Sequence, residues 1–135
     1  MKFLLTLFFV TSSFLICTAQ EDNSVGKHIN AVRNKVMKEG REILKEGSED
    51  RLSFFRTSTT NKFTEVEYYF DQYTGVCLGY TVIYYNLEQI NKVVKLMNKD
   101  MVNVDDTSWK DYKMKLNFDL VYETDHFAVN VEPFE

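Results

Sequence analysis

The sequence predicts an α+β domain, with two helices packed on one face of an antiparallel sheet of about five strands, in the order α-β-β-β-α-β-β. Three observations lead there. Two segments, 25–36 and 87–101, carry apolar residues at helical spacing. The stretch 63–71 alternates apolar and polar residues with the period of two that a half-buried strand shows. The helical segments are followed by runs of strands instead of alternating with them one for one, the layout of helices segregated from an antiparallel sheet.

In the first helix Val25, Ile29, Val32 and Val36 fall at i, i+4, i+7 and i+11, with Lys27, Arg33, Asn34, Lys35 and Lys38 off that stripe. Ser24 is placed as N-cap and Gly40 as the C′ stop. Residues 41–50, "REILKEGSED", read either as a short extended piece or as the frayed end of the helix. "RLSFFR" (51–56) is a short apolar strand, and "STTN" (58–61) marks a turn.

In "FTEVEYYFD" (63–71), Thr64, Val66, Tyr68 and Phe70 point one way and Glu65, Glu67, Tyr69 and Asp71 the other. "DQYTG" reverses the chain, with Asp71 opening a type I turn and Gly75 supplying a positive φ. The return strand "VCLGYTVIYY" (76–85) is apolar on both faces, which places it centrally. Strict alternation there puts Cys77 on one face with Gly79, Thr81, Ile83 and Tyr85. Gly79 within an apolar strand implies a bulge or a helix packed close on bare backbone.

Asn86 then caps a second helix, with Gln89 as its reciprocal partner and Leu87, Ile90, Val94, Met97 and Met101 as the buried stripe. Residues 104–109 read as a loop. A strand follows through 113–123, with Met114, Leu116, Phe118, Leu120 and Tyr122 inward. The last strand carries Phe127, Val129 and Val131 inward and ends near Pro133, the single proline. A faint echo between "NKVMKEGREIL" (34–44) and "VKLMNKDMVNV" (94–104) hints at two repeated α-β-β units.

Residues 1–19 read as a secretory signal peptide: Lys2 gives a positive start, an apolar run follows, and Cys17-Thr18-Ala19 offers a small-residue cleavage site. The apolar part is too short for the ~20 residues a spanning helix needs, so no stable membrane anchor is expected after cleavage. Residues 20–24 form a flexible lead-in and 25–135 one α+β domain. Cleavage removes Lys2 and Cys17. It leaves 15 of the 16 basic residues against 20 acidic ones, and Cys77 as a lone cysteine, which excludes a disulfide scaffold. The acidic balance argues against nucleic acid as a partner, because no basic stripe exists to displace phosphate counterions. The expected location is exported, secreted or periplasmic.

No catalytic motif, metal-ligand set or cofactor signature emerges. The two histidines, His28 and His126, lie far apart in sequence without ligand spacing. Cys77 has no cation beside it to activate the thiol, so a buried, inert role is expected. Glu65, Glu67 and Asp71 share one strand face, the first two about 7 Å apart. Hydrolysis through them would need a raised carboxyl pKa in a cleft, and a solvated strand face is the simpler reading.

Function is therefore expected to be binding and not catalysis. All eight tyrosines fall between 68 and 122, and tyrosine joins a wide apolar body to a polar tip. Tyr69, Tyr85 and Tyr73 with Trp109 are the candidate binding surface for another protein, Trp109 alternatively closing the end of the core. The competing expectation is a carrier of a small apolar ligand held between helices and sheet.

Overall fold

The computed structural model describes residues 23–135. The predicted leader at 1–19 and the first residues of the lead-in lie outside them. Helix α1 (Ile29–Lys38) is followed by strands β1 (Ile43–Glu49), β2 (Leu52–Ser58), β3 (Thr64–Asp71) and β4 (Cys77–Tyr84). A 3-10 turn (Leu87–Gln89) leads into α2 (Ile90–Asp100), then β5 (Val102–Asp105), β6 (Ser108–Asp111), β7 (Leu116–Tyr122) and β8 (Phe127–Pro133).

The fold is mixed helix and antiparallel sheet, as expected, but the sheet has eight strands and not about five. Their order is β1-β2-β3-β4-β8-β7-β6-β5. Each helix is thus followed by a four-strand meander, and the two meanders meet at the β4–β8 seam. The strands missed from sequence are the outer ones. β1 carries Lys45, Glu46, Ser48 and Glu49, all exposed, so it has no apolar alternation to read. β5 and β6 have four residues each and straddle the turn that reads as a loop. The edge strands β1 and β5 need no buried face, and short charged ones discourage further pairing. β6 is too short to show alternation and buries only Trp109.

The 34–44 and 94–104 echo does not mark equivalent positions. It aligns Met37 with Met97, yet Met37 is exposed and Met97 is buried. Val32 and Val36 in α1 correspond in packing to Val93 and Met97 in α2, one residue out of that register.

Helix α1 starts four residues later than expected. Residues 24–28 run beside the start of β4: the Gly26 N–H donates to the Cys77 carbonyl and the Cys77 N–H to the Lys27 carbonyl, both at 2.8 Å. His28 is the N-cap, its Nδ1 accepting from the Asn30 N–H at 3.2 Å. The stop is as read. Gly40 sits at φ +72°, with its own N–H on the Met37 carbonyl and the Arg41 N–H on the Val36 carbonyl, a Schellman closure. Asn86 caps the 3-10 turn through the Glu88 N–H, with Leu87 exposed.

Both helices cover one face of the sheet. Val32 and Val36 of α1 and Val93 and Met97 of α2 belong to one buried cluster with Phe55, Tyr68, Phe70, Trp109, Leu116 and Phe118 of the sheet. Cross-strand partners share a face, so register defines it: Tyr68, Tyr80, Val131, Phe118 and Trp109 form one continuous buried row. Phe55 stacks on Phe70 at 5.2 Å and Tyr84 on Phe127 at 4.6 Å. Arg41, mostly buried, ties the end of α1 to the sheet, its guanidinium donating to the Ser58 carbonyl, the Thr57 hydroxyl and the Tyr68 hydroxyl. Met114 and Tyr122, read as inward-facing, are exposed, Met114 lying before the start of β7 and Tyr122 at its last residue.

The alternation through Cys77 is broken. Tyr69 pairs with Gly79 but Phe70 pairs with Cys77, so Leu78 is an extra, bulged residue. The bulge turns Cys77 onto the helix-covered face, where it is 1% exposed and its Sγ contacts the Gly79 carbonyl at 3.5 Å. Native protein is therefore expected to resist a soluble disulfide reagent for hours and to react at once in denaturant. Fast stoichiometric labelling under native conditions would contradict this burial.

Candidate functional site: the open face of the sheet

Among the described residues no helix lies on the opposite face. Three of its transverse rows follow directly from the strand register. One row runs Phe54, Tyr69, Gly79; the next Arg56, Glu67, Thr81, Asn130, Asp119, Ser108; the third Glu65, Ile83, Ala128, Val121. The middle row is polar throughout and its neighbours bond pairwise. Arg56 Nε donates to Glu67 Oε2 at 2.7 Å, the Thr81 hydroxyl to Asn130 Oδ1 at 2.8 Å, and the Ser108 hydroxyl to Asp119 Oδ1 at 2.7 Å.

Tyr69 and Tyr85 join this network from either side. The Tyr69 hydroxyl donates to Glu67 Oε1 at 2.7 Å and the Tyr85 hydroxyl to Glu65 Oε2 at 3.0 Å. Arg56 also reaches Glu65, Nη1 to Oε2 at 3.6 Å. One guanidinium thus serves two carboxylates, and two phenols occupy further lone pairs. The side chains are held in place before any partner arrives. Ile83 and Ala128 lie buried between the tyrosines and the far strands.

Burial, followed by the hydrogen bond to Glu67, pushes the Tyr69 phenol up to about 12, against an offset from Thr81. Burial and then Glu65 also raise Tyr85. The folded state holds the Tyr69 proton more tightly than the unfolded chain does. The stability this gives is complete below the ordinary tyrosine pKa, about 10, and is lost as pH rises towards the folded value of about 12. Carbon-13 NMR of labelled tyrosine should show the Tyr69 ring titrating near 12 in the native protein, falling back towards the ordinary value in Glu67→Gln. A Tyr69 midpoint near 10 in the native protein would refute the arrangement.

The sequence-predicted surface residues separate here. Tyr69 and Tyr85 lie in the network. Tyr73 is 82% exposed at the tip of the β3–β4 turn, which Asp71 closes by accepting from the Tyr73 and Thr74 N–H groups. Trp109 is 2% exposed on the helix-covered face, its indole N–H donating to Asn98 Oδ1 at 2.7 Å. It closes the core and presents no surface. Asp71, grouped with Glu65 and Glu67 by alternation, is committed to its turn, and the Thr74 N–H holds its carboxyl below the usual range. Glu65 and Glu67 already accept from Arg56 and the tyrosines. His28 caps α1, while His126 lies beside Asp125, Nδ1 to Oδ1 at 2.7 Å, with the Tyr85 ring 5.8 Å from its own. Among the described residues no three potential metal ligands gather in one place.

The face also holds a groove that sequence reading missed. Leu52, Tyr69, Leu78, Gly79, Thr81, Asn130 and Glu132 line an open cleft of about 410 Å³. Its floor is the bare backbone of Gly79. Alternation within 52–58 could have placed Leu52 and Arg56 on one face, but the contribution of β8 depends on a seam between residues about fifty apart.

Comparison of the chain with protein-family models, with curated proteins and with solved structures found no match.

Proposed function

We propose that the chain is an exported, non-enzymatic binding domain that docks another protein on the open face of its sheet. One observation carries this reading. Among the described residues the helices cover one face of the eight-stranded sheet, and the other face presents a pre-bonded Arg–Glu–Tyr network flanked by apolar residues. Ordered aromatic and arginine side chains suit recognition because little side-chain freedom remains to be lost on binding. The route to export rests on residues 1–19. Among the described residues no helix is long and apolar enough to cross a membrane.

The test is photo-cross-linking in the producing cell. A photoreactive phenylalanine replacing Tyr85 should give one dominant protein adduct, and the same group replacing exposed Met37 on α1 should not. Tyr69→Ala combined with Tyr85→Ala should leave the circular dichroism spectrum unchanged and remove capture by a label placed at Tyr73. Equal adducts from the Tyr85 and Met37 positions would sink the proposal. The alternative of an apolar ligand between helices and sheet gains no comparable support. Val36, Phe55, Phe70, Met97 and Phe118 interlock in that layer, each at most 1% exposed, and the groove described above lies on the other side of the sheet.

A further inference from the structure

From the groove on the open face we infer the chemistry of the partner: the cleft over Gly79 receives an arginine side chain of the docking protein. The inference rests on the reading of the open face as a docking surface and adds what that surface selects.

Charge sets the sign of the occupant. On the open face of the four inner strands, β3, β4, β8 and β7, the side chains include Glu65, Glu67, Asp71, Asp119 and Glu132 and no lysine or arginine. Cations reach this area only from the flanks. Arg56 on β2 is spent on Glu65 and Glu67. Lys45 on β1 lies over the Phe54 ring and Lys110 on β6 over the Phe134 ring. At the far end of the cleft, Glu132 carries a negative charge that no salt bridge among the described residues takes up, Lys110 lying two strands away in the same row. Glu132 is exposed, and no other described residue donates to it. An incoming cation would meet its complement there without first displacing a resident one.

Shape sets the class of side chain. Gly79 carries no side chain beside Tyr69, and the open cleft lies between the Tyr69 ring and Glu132. Exposed Leu52 and Leu78 wall the slot with aliphatic surface. Tyr69 is pinned by its bond to Glu67, so its ring forms a fixed planar wall. A long stem with a flat cationic head fits these elements: methylenes against the leucines, guanidinium plane along the tyrosine ring, N–H donors to Glu132. The Thr81 hydroxyl spends its proton on Asn130 Oδ1, so its remaining capacity towards the cleft is as an acceptor. Arginine meets these demands better than lysine, whose compact ammonium neither stacks nor bonds bidentately.

The closing experiment titrates the nitrogen-15-labelled full chain with N-acetyl-arginine methylamide and, separately, with its neutral isostere N-acetyl-citrulline methylamide. The arginine compound is expected to shift the amides of Gly79, Thr81, Asn130 and Glu132 saturably at millimolar concentration, with citrulline at least about tenfold weaker. Glu132→Gln, whose spectrum should otherwise overlay the parent, should weaken arginine binding by about tenfold and leave citrulline unchanged, and added salt should weaken the parent's response. Equal response to both compounds, shifts scattered over the surface, or an undiminished response in Glu132→Gln would each overturn the inference. The two readings fail separately. Tyr85 cross-linking that survives in Glu132→Gln, with no arginine-specific shift, removes the arginine slot and keeps the docking face. Arginine-specific shifts without any Tyr85 adduct remove the docking face and, with it, the protein-borne arginine.

Discussion

Trp109→Ala is expected to lower the stability of the fold by about 4 kcal/mol, in the range for emptying a large buried aromatic site. The indole is 2% exposed, lies in the row with Phe118 and Val131, and donates to Asn98 on α2. Truncation opens a cavity between α2 and β6 and leaves Asn98 without its donor. Urea unfolding followed by circular dichroism measures the change, since the variant has lost the only tryptophan for fluorescence. Trp109→Phe should recover much of the loss, keeping the ring but not the hydrogen bond. The measurement also separates two roles. A surface anchor could be truncated within about 0.5 kcal/mol, so a change that small would return Trp109 to the candidate binding surface.

Gly79→Ala is the second large effect, expected to cost about 3 kcal/mol by forcing an atom into a packed seam. A Cβ at Gly79 would lie 2.6 Å from the Val131 carbonyl oxygen, with further backbone of Val131 and Glu132 beyond. Backbone cannot swing away as a flexible side chain can, and β4–β8 is the seam that joins the two meanders. The expected outcome is a lowered urea midpoint together with faster amide exchange along the 127–133 strand. Leu78→Ala next to it, on the exposed bulge, should change stability by well under 1 kcal/mol. A neutral Gly79→Ala would mean that the seam is looser than its geometry implies, and the floor of the groove with it.

Gly79 illustrates how far the sequence reached. A glycine inside an apolar strand signals a bulge or a close approach. Both occur here, but the bulge is one residue earlier, at Leu78, and the approaching backbone belongs to β8 and not to a helix. The single inserted residue moved Cys77 to the other face, because a shift of one reverses every side chain beyond it. Alternation reads faces only within an uninterrupted strand.

The open-face site was legible in the same partial way. Placing Tyr69 and Tyr85 opposite Tyr68, Tyr80 and Tyr84 required only the period of two in β3 and β4. Arg56 was missed as their organiser because its partners are set by the β2–β3 register, and Asn130 and Glu132 because β8 joins β4 across an entire helix and three strands.

By itself, then, the sequence determined what local chemistry controls. The helical stripes of Val32, Val36 and Met97, the alternation of β3, the Asp71–Gly75 reversal and the Gly40 stop each follow from side-chain period or from a backbone angle that few residues adopt. Only the tertiary structure decided which strands meet, that β4 and β8 form the seam, that Trp109 faces inward, and that Gly79 and Glu132 share a cleft. Those outcomes depend on pairings between distant segments. Such pairings are selected by the burial of a whole face and not by any residue's neighbours in the chain.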